Sequence, residues 1–150
     1  MALDYTFYLK TKVPPESLRG RIAAITGLLP TEYKTLQDPA SRLIIGVRAG
    51  DEEDQKWTQD IYGFKARTMV WFRHGKRDFE HDNRTMMHVV SELLKEYTGG
   101  MARRFDENPS TILVRDGNEL VIDPAWKDEP EMELLMQGDF KYRIEKLPEL

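Results

Sequence analysis

Residues 63–100 read GFKARTMVWFRHGKRDFEHDNRTMMHVVSELLKEYTGG, and the fold turns on how this stretch is read. Within Ala66 to Arg73, Met69-Val70-Trp71-Phe72 is an unbroken apolar run. A strand with one wet face would alternate, so the run predicts a strand inside a sheet. Downstream, Met86, Val90, Leu93, Leu94 and Tyr97 fall on one apolar stripe at helical spacing, which predicts a helix over residues 83–98. Asp82 is placed to cap it, because a carboxylate there accepts from the free amides of the first turn. Gly99-Gly100 is placed to end it.

Toward the N-terminus, Leu3, Tyr5, Phe7 and Leu9 alternate with Asp4, Thr6, Tyr8 and Lys10, the pattern of a half-buried strand over residues 4–11. Pro14-Pro15-Glu16-Ser17 opens a helix, since proline suits the first turn and glutamate meets the positive end of the dipole. Leu18, Ile22, Ile25 and Leu29 form its stripe, and Gly27 or Pro30 ends it. Residues 31–41 read as a loop, Leu43 to Arg48 (LIIGVR) as a strand, Gly50 to Asp54 with its four acids as a break in the pattern, and residues 55–62 as ambiguous, with room for a single helical turn.

Toward the C-terminus, residues 101–105 form a short strand candidate and residues 106–109 a turn. Thr111 to Arg115 and Glu119 to Asp123 flank Asp116-Gly117-Asn118, which predicts a hairpin with a three-residue loop. Beyond Pro124 the chain turns acidic, and residues 140–147 add a last strand or a docked tail. The order β-α-β-β-α-β-β-β predicts an α+β fold, a two-layer sandwich of a mainly antiparallel sheet with two helices on one face. Residues 1–150 form a single domain, with a core over 1–123 and an acidic C-terminal extension over 124–150.

The bulk composition narrows the function. With 40% hydrophobic and 32% charged residues the chain is that of a soluble globular protein. No apolar run approaches the roughly 20 residues that span a bilayer, and the N-terminus lacks the pattern of a signal peptide, so a cytoplasmic protein without membrane partner is expected. The lack of cysteine excludes disulfides, cysteine-based zinc sites and thiol nucleophiles. A net charge of -4 argues against a nucleic-acid partner and suits a basic protein partner.

Few residues carry a chemical signal. His74, His81 and His88 are spaced by sevens, away from the i, i+4 spacing of a helical zinc pair, and read as three unrelated surface histidines. No metal or other cofactor is therefore expected. Arg73-His74-Gly75-Lys76-Arg77 is a basic run without the glycine-rich loop that cradles phosphate, and reads as a solvated turn. Arg104 reads as a residue reaching solvent from a strand. No nucleophile elbow, Walker loop or His-Glu-x-x-His occurs, so no catalytic residue is assigned and a non-enzymatic protein is expected. Two acidic clusters each lie near a tryptophan. One is Asp51, Glu52, Glu53 and Asp54 before Trp57; the other is Asp128, Glu129, Glu131 and Glu133 after Trp126. Solvated acids beside core tryptophans are the plainer account. As a candidate partner-binding surface, the acids would steer a basic protein and the indoles would anchor it.

Four segments carry a family resemblance: the opening MALDYTFYLKTKVPPESLRGRI; Val70 to Arg73 followed by Lys76; Met86 to Leu94 with Gly99-Gly100; and ILVRDGNELVID. Together, in this order, the chain resembles the swarming-inhibition (Sit-type) toxin immunity proteins of myxobacteria and actinobacteria, over roughly residues 1–123. Residues 106–110 look inserted, and residues 124–150 extend past the usual end. The resemblance implies a protein that binds and neutralises a cognate protein toxin in the producing bacterium, and it assigns no contact residues. The alternatives are an effector adaptor or chaperone, or a small ligand-binding module or enzyme using residues 73–77.

Overall fold

In the computed structural model, which describes residues 4–105, 110–136 and 140–148, strand β1 (Asp4–Leu9) lies at the middle of the sheet. Among the described residues the sheet has nine strands. Its order is β2 (Leu29–Pro30), β3 (Leu36–Gln37), β4 (Ile44–Ala49), β5 (Thr68–Arg73), β1, β6 (Gly99–Phe105), β7 (Ser110–Asp116), β8 (Glu119–Ile122) and β9 (Lys141–Ile144). All neighbours are antiparallel except β8 and β9, which run parallel, so the sheet is mixed.

Helix α1 (Pro15–Thr26) and helix α3 (Phe79–Glu96) cover the face that carries Tyr5, Phe7 and Leu9. Leu18 and Ile22 of α1 and Met86, Val90, Leu93 and Leu94 of α3 are buried there. The expected stripe of α3 is therefore its buried face, except for Tyr97, which follows the helix end and is partly buried. Leu29 is not part of the α1 stripe: the helix ends at Gly27, whose φ of 75° suits glycine, and Leu29 is 77% exposed on β2.

The expectation of two helices on one face is corrected by a further helix, α2 (Glu52–Tyr62), on the opposite face. Its start is the acidic run that reads as a break. The Asp51 carboxylate accepts from the Asp54 amide at 2.8 Å, and the Asp54 carboxylate accepts from the Asp51 amide at 3.2 Å. This reciprocal cap holds two further acids, Glu52 and Glu53, at the positive end of the helix dipole. Trp57 then packs with Tyr8, Phe64, Ala66, Met69 and Met101 in a second apolar cluster. As a result β1 is not wet on one face: Thr6 and Tyr8 are buried. The expected interior position of β5 holds, with Met69 toward α2 and Val70 and Phe72 toward α3.

Other boundaries shift for identifiable reasons. α3 begins before Asn83, with Asp78 as its cap accepting from the His81 amide at 3.1 Å. Asp82 lies inside the helix, fully buried, and accepts from the Gly75 amide at 2.9 Å. The helix ends at Glu96, and Gly99-Gly100 open β6 instead of capping it. A Cβ on Gly100 would come within 2.9 Å of the Phe7 ring. The hairpin loop is two residues, because Asp116 pairs with Glu119. Gly117, at φ 63°, takes the first central position, where a type II′ turn places glycine. The expected loop over 31–41 contains β3. The turn over 106–109 lies outside the described residues.

The segment after Pro124 belongs to the packed structure. A 3-10 turn, Pro130–Met132, leads into α4 (Glu133–Met136), and Met132 and Leu135 are buried beside α3. After β9 the Leu147 amide donates to Asp123 Oδ2 at 2.9 Å, and the Thr111 hydroxyl donates to the Pro148 carbonyl at 2.9 Å. The C-terminal residues 140–147 thus supply both a strand and a docked tail.

Candidate functional site

The two acidic clusters lie on opposite faces of the sheet and do not form one surface. Asp51, Glu52, Glu53 and Asp54 make the cap and first turn of α2, and Asp54 pairs with Arg48 at 2.7 Å. The Asp54 amide and the charge of Arg48 hold the Asp51 carboxyl below its usual range. Glu52 and Glu53 are exposed. Asp128, Glu129 and Glu133 are exposed on the α3 side, while the Glu131 side chain lies outside the described residues.

Both tryptophans of these clusters are half-buried. Trp57 meets Tyr8 at 5.7 Å between ring centres and carries the Arg103 guanidinium 4.7 Å above its ring. Trp126 sits edge-on to Tyr5 at 6.3 Å, donates to Ser110 Oγ at 3.3 Å and lies under the Arg104 guanidinium. Arg104 is half-buried, so it does not simply reach solvent as expected, and its neighbour Arg103 is buried.

The basic run is anchored by internal bonds. Arg73 pairs with Asp4 at 3.1 Å, and Gly75 donates to Asp82; Lys76 and Arg77 are exposed. His74 is buried, not a surface residue, between the rings of Tyr5 and Phe79 and 2.7 Å from Asn83 Oδ1. His81 instead meets Asp38 at 2.9 Å, and His88 is exposed. Among the described residues no group of three or more His, Cys, Asp or Glu side chains comes together at metal-binding range.

Burial pushes the His74 imidazole below its ordinary value, against the pull of the Asn83 bond and the nearby Asp82 and Asp4 carboxylates. Below about pH 6.5 the unfolded chain therefore takes up a proton at this site more readily than the folded one. Stability is expected to fall as pH drops from 7 toward 5, by at most about 1.4 kcal/mol per pH unit from this group. Thermal melts of wild type and His74→Gln across that range test this; a slope unchanged by the substitution would remove His74 as its source.

Sequence reasoning misses a groove of about 420 Å³ on the α2 face, lined by Asp4, Thr6, Tyr8, Arg48, Trp71 and Arg73 among others. Its walls come from β1, β4, β5 and the first turn of α2, where Asp54 is the one residue of the acidic clusters that lines it, so no local motif marks it. A second groove of about 640 Å³ shares Arg48 and Trp71 and extends to Tyr33 and Lys34. Trp71 lines both, its indole lying against Gly46, where a Cβ would come within 2.1 Å of the ring. Burial, with the Asp54 charge adding to it, pushes the Tyr8 hydroxyl up to about 12, so it stays neutral at physiological pH. Trp and Arg side chains beside grooves are the composition of a protein-binding surface.

Compared with known proteins, the chain matches the family model described as SitI3-like over residues 3–131. No curated protein and no solved structure matches it. Among the described residues no helix is long and apolar enough to cross a membrane.

Proposed function

The chain belongs to the SitI3-like family, and from that premise we propose that it is an immunity protein. It binds a cognate protein toxin inside the producing bacterium, in the cytoplasm, and neutralises it by occlusion, without enzymatic activity of its own. Family membership over residues 3–131 is the observation that carries this reading. The test is to express the chain in a susceptible strain together with the product of the adjacent toxin gene. Growth is expected to be rescued and a stable complex to be recovered on gel filtration. A complex without rescue would favour an adaptor or chaperone; neither rescue nor complex would end the immunity reading.

The exposed acids are the proposed steering groups. Asp128, Glu129 and Glu133 stand at the surface, whereas Asp51 and Asp54 are engaged in a cap and with Arg48. Charges on the rim of an interface act chiefly on the association rate. Replacing Asp128, Glu129, Glu131 and Glu133 by Asn or Gln is expected to slow toxin association about tenfold at low salt and flatten its salt dependence. Association rates at two salt concentrations decide it. If they are unchanged, and remain so when Glu52 and Glu53 are also replaced by Gln, capture through these acids is ruled out.

A further inference from the structure

The two edges of the sheet differ. At one end, β2 is two residues long and ends in Pro30, which has no amide hydrogen to offer another strand. At the other end, β9 is exposed along its length, and Tyr142 and Ile144 are 46% and 39% exposed. The Glu145 amide donates to the Ile122 carbonyl at 3.1 Å and the Leu147 amide to Asp123. In a parallel pair the backbone groups of alternate residues point to opposite sides. The odd-numbered residues therefore serve β8, and the amides and carbonyls of Tyr142 and Ile144 face outward. Tyr142 and Ile144 pair with Leu120 and Ile122, both in the main core, so their side chains extend its apolar layer to the edge.

We infer that β9 pairs antiparallel with β9 of a second copy of this chain, about a two-fold axis at Ile144. The charges select that register. A two-fold axis at Tyr142 would set Lys141 opposite Arg143, one at Arg143 would set arginine opposite arginine, and one at Glu145 would set glutamate opposite glutamate; like charges directly opposite destabilise a ladder. An axis at Ile144 sets Arg143 opposite Glu145 of the second copy, Ile144 opposite itself, and Tyr142 opposite Lys146. It also sets Ile144, whose backbone groups face outward, opposite its own copy, so that the two residues exchange hydrogen bonds. Arg143 already meets Glu145 of its own strand at 3.0 Å, and also Glu119. Across the axis Arg143, Glu145 and their copies then alternate in sign around a four-membered ring of charge.

Light scattering and sedimentation equilibrium of the full chain test this from micromolar to near-millimolar concentration. Wild type is expected to move reversibly from monomer to dimer. Arg143→Glu alone and Glu145→Arg alone set like charges opposite each other, and each is expected to weaken self-association on the order of tenfold or more. Mixing the two variants restores opposite charges across the axis, and the mixture is expected to dimerise about as well as wild type. Circular dichroism and melting temperature establish that each variant is folded. A wild type that stays monomeric throughout overturns the inference, and so do folded variants that dimerise like wild type or a mixture that does not recover.

Discussion

Leu93→Ala is expected to destabilise the protein by about 2–5 kcal/mol. Leu93 is fully buried on α3, which lies over the sheet and meets α1, β6, the 3-10 turn and α4. The core cluster it belongs to draws on elements far apart in the chain: Phe7 and Leu9 from β1, Leu18 and Ile22 from α1, Leu135 from α4. Closing the space left by truncation would require these elements to move together, so a large part of the cavity should persist. Because cavity volume adds to the lost transfer energy, the upper half of the range is the expected result. Leu93→Met keeps most of the volume and should cost under about 1.5 kcal/mol. Denaturant titration of the two variants is the check. A loss under about 1 kcal/mol for the alanine variant would show that Leu93 is not a core residue.

The elements that could be read from the sequence are those whose apolar period is long and unmixed. β5 has an unbroken apolar run and α3 repeats its stripe over most of its length, and both elements are present, α3 with its start moved from residue 83 to Phe79 and its end from residue 98 to Glu96. α2 escapes because only Trp57, Ile61 and Tyr62 are large apolar residues in its sequence, EEDQKWTQDIY, too few to define a period. Its acids look like a solvated loop until the reciprocal Asp51–Asp54 bonds are seen. One missed helix then propagates: without it, Thr6 and Tyr8 have no reason to be buried, and the second face of the sheet looks wet.

The candidate surface was legible in composition and not in placement. The acids and tryptophans named from the sequence are divided between the two faces, since α2 and α4 pack on opposite sides. The grooves beside Trp71 depend on the order β4-β5-β1, which brings Arg48, Arg73 and Asp4 together from three separate strands. The self-complementary charges of β9 also need the topology, because only the parallel pairing with β8 shows which backbone groups remain outward.

Gly75→Ala is expected to destabilise the protein by about 3 kcal/mol, at the upper end of the usual penalty for overpacking. A Cβ at this position would lie 1.9 Å from the Ser41 carbonyl oxygen and 2.9 Å from Arg42 Cβ. The first contact is with backbone, so no change of rotamer relieves it, and either the 38–43 turn or the β5–α3 connection must move. The turn is braced. Asp38 accepts from the Ala40 and Ser41 amides at 2.9 and 3.1 Å, and meets His81 of α3 at 2.9 Å. Arg42, at φ 73°, is already in the left-handed region that a non-glycine residue seldom occupies. The connection is held as well, by the bond from the Gly75 amide to buried Asp82. Moving it away would leave a buried carboxylate short of its donor, which by itself costs about 1–3 kcal/mol. Gly20→Ala is the matched control: it lies within α1, a Cβ there would meet nothing within 4 Å, and the change should stabilise by roughly 0.5–1 kcal/mol. Paired denaturant titrations should therefore move in opposite directions, and a Gly75→Ala variant within about 1 kcal/mol of wild type would contradict the close approach of the two segments.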